Sequence, residues 1–329
     1  MKALVTGATG FIGSNVVAAL LAHGYSVRAL VRRESNRRNL AGLPVELAVG
    51  DLHDRPSLQR ALHGCDVLFH VGGAYTLWTP DPQLVYETNV AGTRNILTAA
   101  RTQGIQKVVY TSSESTRGVP GDGRVGSEDL DADLTHLIGH YKRSKFLAEQ
   151  VALEMCREGL PVVVVNPTTP VGPGDVRPTP TGQIIVDFMN GRMPAYVNTG
   201  LNLVDVEDVA EGHVLALEKG RAGERYLLGN RNLTLKELLD TLAEITGHPP
   251  PYFRMPIWLA LGAAYIDEFI SGYLRKAPPR IPVVGVKVAR SFRYFDCSKA
   301  INELGLPQTP IEEALARAVC WFRRNGYVG

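Results

Sequence analysis

The sequence predicts an α/β fold, a doubly wound parallel sheet that carries a smaller, partly interleaved α/β domain toward its C-terminal end. Three observations predict it. Short apolar, β-branched runs alternate with longer helical patterns through the first half of the 329 residues. A glycine-rich turn directly follows the first of those runs. Beyond Pro167 the texture changes to shorter elements separated by proline and glycine.

Residues 3–6, 26–31, 45–49, 67–70, 107–111 and 162–166 read as buried strands bounded by Gly, Pro or Asp. Segments 13–23, 57–62, 89–103 and 141–158 have the length and apolar spacing of helices. Strands separated by helices imply right-handed crossovers and a sheet covered on both faces. This assigns 1–167 to a nucleotide-binding domain and 168–329 mainly to a substrate domain, with segments near 203–206 and 225–228 expected to rejoin the sheet. Residues 167–182 read as loop. Thr234-x-x-Glu237 and Thr309-Pro310-Ile311-Glu312 read as capping boxes that start helices over 235–246 and 310–324.

Composition narrows the function classes. Thirty-five basic and 33 acidic residues leave a formal charge of +2, too little for a broad field that would hold nucleic acid. Cys65, Cys156, Cys297 and Cys320 are scattered without a C-x-x-C pair, which predicts reduced thiols in a cytoplasmic protein. Met1 to Thr6 runs into the glycine turn without a basic, then apolar, leader, and no run is long enough to span a bilayer. No metal-ligand spacing is present, and the expected partner is a small molecule.

The turn reads Gly7-Ala8-Thr9-Gly10-Phe11-Ile12-Gly13 and opens a helix. Gly7 allows the tight turn, Gly10 lets backbone amides approach a pyrophosphate, and Gly13 lets the helix pack against the strand. The helix N-terminus adds unpaired N–H groups and a partial positive charge. Between a strand and a helix, this pattern marks a Rossmann dinucleotide site. The second strand ends at Arg32 and Arg33 rather than at Asp or Glu, so a 2′-phosphate fits better than a free ribose hydroxyl. That points to NADP, with NAD as the alternative and Arg37 or Arg38 as further cations. Asp51 and Leu52 follow the third strand, where the Asp fits either an adenine amino group or a plain strand end.

Tyr141-Lys142-Arg143-Ser144-Lys145 gives Tyr-x-x-x-Lys on a helix. Residues four apart share a helix face, so phenol and ammonium point into the same space. A nearby ammonium, together with the positive nicotinamide of an oxidised cofactor, is expected to pull the phenol below its usual pKa, so that Tyr141 takes the alcohol proton in oxidation or donates it in reduction. Ser113 lies just beyond Thr111, at the carboxyl edge of a strand, where open parallel sheets bind ligands. Its hydroxyl can bond a substrate oxygen as charge develops.

With these motifs the chain resembles the extended short-chain dehydrogenases/reductases, the NAD-dependent epimerase/dehydratase family. The resemblance extends through Asn89-Val90-Ala91-Gly92-Thr93, Asn166-Pro167-Thr168, Val204-Asp205-Val206 and Asp296-Cys297-Ser298-Lys299-Ala300. It is nearest to the dihydroflavonol-reductase-like branch and, through residues 182–197, to the hopanoid-associated sugar epimerases. It implies that Ser113, Tyr141 and Lys145 are catalytic and that Lys145 also holds the nicotinamide ribose. It implies further that Thr111, Pro167 and Thr168 line the nicotinamide, that Gly72, Gly73 and Ala74 line the cofactor after the fourth strand, and that Arg32 meets NADP. A homodimer through the helices over 89–103 and 141–158 is also implied.

The departures from the family bear on the substrate. Family members acting on nucleotide sugars carry an arginine just before the Val-x-Asp-Val segment, where this chain has Leu201-Asn202-Leu203. A second family arginine is replaced by the stretch Gly285-Val286-Lys287, leaving Lys287 or Arg290 only as point charges. Dehydratases of the family carry an Asp-Glu pair after the catalytic hydroxyl, and here Glu114 is followed by Ser115. Glu114 fits a solvated loop carboxylate better than an auxiliary acid or base. Tyr75 and Trp78 follow the fourth strand and predict an apolar pocket. Residues 257–274 are unusually apolar and read as core packing, or as a lid over a lipid-like or aromatic substrate. Asp267 and Glu268 interrupt that run and no dense basic face accompanies it, so peripheral membrane contact is not expected.

The reading is therefore an NADP-linked oxidoreductase acting on a carbonyl or secondary alcohol of a mainly apolar substrate. Its alternatives are a sugar or nucleotide-sugar epimerase that keeps NAD, and an NADP-sensing regulator without turnover.

Overall fold

The computed structural model describes residues 1–120, 124–275 and 277–328. β1 (Lys2–Thr6), β2 (Ser26–Val31), β3 (Glu46–Val49), β4 (Val67–His70), β5 (Lys107–Thr111) and β6 (Val162–Pro167) alternate with helices. The helices are α1 (Phe11–Ala22), α2 (Arg55–Leu62), α3 (Pro82–Tyr86), α4 (Gly92–Thr102) and α5 (His140–Arg157). A π-helical turn, Glu87–Ala91, joins α3 to α4, so the helix expected to start at residue 89 begins as a wider turn. All four residues of β4 and all six of β6 are buried, as strands covered on both faces require.

Successive residues of one strand serve opposite layers. On β1, Ala3 and Val5 pack with Val16, Val17 and Leu20 of α1, while Leu4 packs with Leu58 of α2 and Ile96 of α4. The second layer continues through Ala148, Val151 and Met155 of α5, which seats that helix against β5 and β6.

The later chain supplies β7 (Thr169–Val171), α6 (Pro180–Met189), β8 (Ala195–Tyr196), β9 (Gly200–Asp205) and α7 (Val206–Glu218). β10 (Arg225–Leu228), β11 (Arg231–Thr234), α8 (Leu235–Thr246), β12 (Phe253–Arg254), α9 (Ile257–Glu268), α10 (Val283–Val288) and α11 (Ile311–Arg324) complete it. α7 returns to the main sheet, where Val209 and Val214 join the α1 layer. The order of the main sheet is β10-β6-β5-β4-β1-β2-β3, with every pair parallel.

Three expectations are corrected here. Segment 203–206 does not rejoin the main sheet. β9 lies between β11 and β7 in a separate three-stranded sheet, because Leu203 packs with Val171, Leu233 and α6, α8 and α11 in a third core. The stretch 167–182 is not all loop, since Thr169–Val171 pairs with β9. Thr234 and Glu237 form the full capping box at α8, whereas α11 starts at Pro310 without a side-chain cap. The Thr309 hydroxyl is committed instead to Asp208 Oδ1 at 2.8 Å, which ties α11 to α7.

Candidate active site

The turn after β1 closes as the glycines require. Gly7 has φ +67°, and a Cβ there would lie 2.7 Å from Gly72 Cα, so the β1 and β4 loops touch backbone to backbone. A Cβ on Gly13 would fall 2.1 Å from Gly7 O, which lets α1 rise directly under the turn. Gly10 is the N-cap of α1 and offers no side-chain cap, leaving the first amides of α1, at Phe11, Ile12 and Gly13, for an anion. Thr9 stands in the same turn, its carbonyl accepting from Asn39 Nδ2 at 3.4 Å. An uncapped helix N-terminus beside a cradle with no room for side chains fits a dinucleotide pyrophosphate.

The remaining cofactor candidates sit along the same carboxyl edge. Arg32 follows β2, is exposed, and has Nε 3.6 Å from Glu34 Oε1. Arg38 is turned away onto Asn325. Asp51 Oδ1 accepts from His53 N at 2.9 Å, and Leu52 O accepts from Asn95 Nδ2 at 2.9 Å. Gly72 N donates to Thr6 Oγ1 at 2.9 Å, Gly73 lies against Asn89 Oδ1, and Ala74 N donates to that same oxygen at 2.7 Å. Pro167 ends β6, and Thr168 N donates to Leu228 O at 3.0 Å.

Ser113, Tyr141 and Lys145 converge at the end of β5. Lys145 is buried, and its Nζ donates to Thr111 O at 2.7 Å and to Tyr110 Oη at 3.3 Å. Burial pushes its ammonium down to about 8, with Glu149 opposing the shift. Thr111 Oγ1 donates to His213 Nε2 at 2.8 Å, because His213 Nδ1 is committed to Val209 O at 2.7 Å. Ser113 Oγ accepts from Ser115 N at 3.2 Å and from Ser115 Oγ at 3.0 Å. Its own proton is then free for Tyr141, with which it shares a hydrogen bond.

The phenol differs from expectation. Burial raises Tyr141 above the usual tyrosine value, only partly offset by the Ser113 bond, and the Glu114 charge adds to the rise. Burial thus favours the protonated phenol, whose proton is available to a ligand oxygen.

The substrate side is apolar with one ion pair. The Tyr75 ring meets Tyr141 edge-on with centroids 4.5 Å apart. Trp78 packs under Gly272, where a Cβ would stand 3.2 Å from its Cζ2. Val284 of α10 covers Gly139, just ahead of α5. Glu114 is not a solvated loop carboxylate: it is largely buried and ion-paired with Arg293. Burial alone would raise its pKa, but the Arg293 and Lys142 charges hold it below the usual carboxylate range. Arg293 was missed in the sequence because no local motif marks it. It reaches the site because its backbone N bonds Gly200 O at 2.8 Å, beside β9. Lys287 does not stand free as a substrate cation, since its Nζ lies 5.6 Å from the Tyr265 ring centre. Among the described residues, no cluster of His, Cys, Asp and Glu suits a metal ion.

The sequence profile of the NAD dependent epimerase/dehydratase family matches residues 3–229. The chain is 49% identical to a Synechocystis protein provisionally named a dihydroflavonol 4-reductase, over 98% of this chain and 95% of that one. It is 39% identical over the whole of both chains to sterol demethylase protein B of Methylococcus capsulatus. Its fold superposes on a nucleoside-diphosphate-sugar epimerase from Pseudomonas aeruginosa with TM-score 0.84 and 30% identity, covering 100% of this chain and 99% of that one.

Proposed function

The chain belongs to the NAD dependent epimerase/dehydratase family and is an enzyme of nicotinamide chemistry, an oxidoreductase or an epimerase, and from that premise we propose that it reduces the carbonyl of a mainly apolar substrate. The observation that carries the reading is the meeting of Ser113, Tyr141 and Lys145 at the end of β5 under the Tyr75 ring, with the nearby Arg293 already paired to Glu114.

Held at the α1 N-terminus by the amides of Phe11, Ile12 and Gly13, a nicotinamide dinucleotide would supply or remove the hydride. The chain's own residues handle the oxygen. Ser113 Oγ donates its single hydrogen to the Tyr141 oxygen, which leaves the phenol proton turned toward the substrate oxygen. Tyr141 Oη delivers its proton to that oxygen as the carbon gains the hydride, and the resulting phenolate is reprotonated from solvent. Lys145 keeps a positive charge beside the developing phenolate. Thr111, Pro167 and Thr168 would line the nicotinamide, Gly72, Gly73 and Ala74 the cofactor after β4, and Asp51 and Leu52 the adenine end. The exposed Arg32 supports NADP over NAD.

The substrate side supports an apolar ligand. Arg293 is already paired to Glu114, and the stretch before Val204 offers Asn202 bonded to Asn232 and a buried Leu203 rather than a cationic fork. A relative named for sterol demethylation fits the same chemistry. The substrate-binding part lies mainly beyond residue 167. α4 and α5 are the proposed faces of a homodimer, and four free cysteines fit a cytoplasmic location. Among the described residues no helix is long and apolar enough to cross a membrane.

The competing epimerase returns the hydride to the same substrate and so retains NAD. Denaturing the purified protein and measuring released nucleotide tests this. A reductase releases little and oxidises NADPH with apolar ketones, faster than NADH; stoichiometric NAD with no net NADPH consumption overturns the proposal. A regulator would show neither turnover nor retained NAD.

A further inference from the structure

Helix α9 is apolar on its outward as well as its inward side. Its inward stripe carries Ala260 and Ala264, both buried, followed by Asp267 and Glu268. Its outward stripe carries large apolar side chains: Trp258 is 68% exposed, Tyr265 54% and Ile266 62%, and Leu274 just beyond is 63% exposed. A helix that faces water normally presents a polar outer face, and a contiguous exposed apolar face marks an interaction site.

The charges around the stripe are sorted as well. Residues 251–290 hold six basic and two acidic residues. Both carboxylates turn inward: Asp267 Oδ2 accepts from Ile281 N at 2.8 Å and Glu268 Oε2 from Val283 N at 2.9 Å. Arg254, Arg275, Arg280 and Arg290 are exposed. The sequence argued against membrane contact because the carboxylates interrupt the run and the basic residues are dispersed. Folding removes the first objection, and four arginines of the same segment remain exposed to meet anions.

From this sorting we infer that the α9 surface docks the enzyme onto an anionic lipid bilayer, with the apolar stripe at the level of the acyl chains and the arginines among the headgroups. Arginine suits the rim because its stem lies along apolar surface while its guanidinium reaches the headgroup oxygens. The inner side of the same segment forms the wall of the candidate site: Gly272 meets Trp78, Gly285 meets Leu77, and Val284 meets Gly139. A docked enzyme therefore places its substrate wall next to the lipid phase, where an apolar carbonyl compound partitions. This last step rests on the apolar-substrate reading; the docking itself does not.

The test is co-sedimentation of the full chain with vesicles of phosphatidylcholine alone or with 30% phosphatidylglycerol added, where ~30% is a composition that gives a strongly negative surface. The expected result is binding to the anionic vesicles, at least ~5-fold weaker binding to the neutral ones, and release by high salt. Ile266→Asp and the pair Arg275→Glu/Arg280→Glu, all at exposed positions, should each lower binding about 5-fold or more while leaving NADPH binding intact. Tyr141→Phe should sediment like the wild type, which separates docking from chemistry. Absence of sedimentation with anionic vesicles overturns the inference, as does equal binding of Ile266→Asp and wild type. Light scattering that shows a dimer broken by Ile266→Asp also overturns it, because a second copy would then cover this face.

Discussion

The Lys145 ammonium donates to the main-chain carbonyl of Thr111 at 2.7 Å, two residues before Ser113. One side chain thus ties the catalytic helix to the end of β5 and keeps a positive charge between them. Burial lowers its pKa to about 8, so the charge is present below that pH and lost as pH rises through it. The account predicts an alkaline limb of kcat/KM near pH 8. Lys142, also lowered to about 8 by burial, faces Glu114, and Lys142→Gln should leave the limb in place. Lys145→Met should cost roughly 10²–10⁴ in kcat. A flat profile between about pH 7 and 9.5 would contradict the role of the charge.

Glu149 organises the loop behind Ser113. Its carboxylate accepts from Ser112 Oγ at 2.5 Å, Thr116 Oγ1 at 2.7 Å, Asn166 Nδ2 at 2.9 Å and Arg225 Nε at 2.8 Å, and it pairs with the buried Arg117. Removing one partner of a buried pair strands the other's charge. Glu149→Gln is expected to lose about 3 kcal/mol in urea unfolding, and Arg117→Met/Glu149→Met to recover part of it. A neutral effect of the single variant would show that the network carries no stability.

Asp175 should make stability depend on pH in the unusual direction. Burial raises its carboxyl to about 6, although Thr179 N and Oγ1 both donate to Oδ2 at 2.8 Å. Oδ1 is buried without a partner. The folded value exceeds the unfolded one, so the contribution is fully present below about pH 4 and is lost as pH rises through about 6. Asp175→Asn should therefore gain up to about 3 kcal/mol at pH 7.5 and little at about pH 3.5. An equal gain at both pH values would place the effect in packing instead.

The legible parts of this chain were those in which one short segment carries the whole signal. β2, β4 and β5 run over the residues that their apolar runs predicted, because strands buried on both faces leave no other pattern. The glycine turn and Tyr-x-x-x-Lys are local constellations, and the fold brings both to one sheet edge. What sequence did not reveal depends on distant partners. Arg293 meets Glu114 across 179 residues. β9 was attached to the wrong sheet because an apolar strand does not state which core it enters. The burial that raises the Tyr141 phenol comes from packing that the Tyr-x-x-x-Lys spacing does not report. The 257–274 run read as core, since composition alone does not tell an inward apolar stripe from an outward one.

Tyr141→Phe is the most direct test of the central claim, that this phenol moves the proton. The variant keeps the ring against Tyr75 and removes only the hydroxyl. NADPH binding, followed by fluorescence titration, should stay within about 2-fold of the wild type, while kcat for carbonyl reduction falls by roughly 10²–10⁴. Turnover close to that of the wild type would contradict the account.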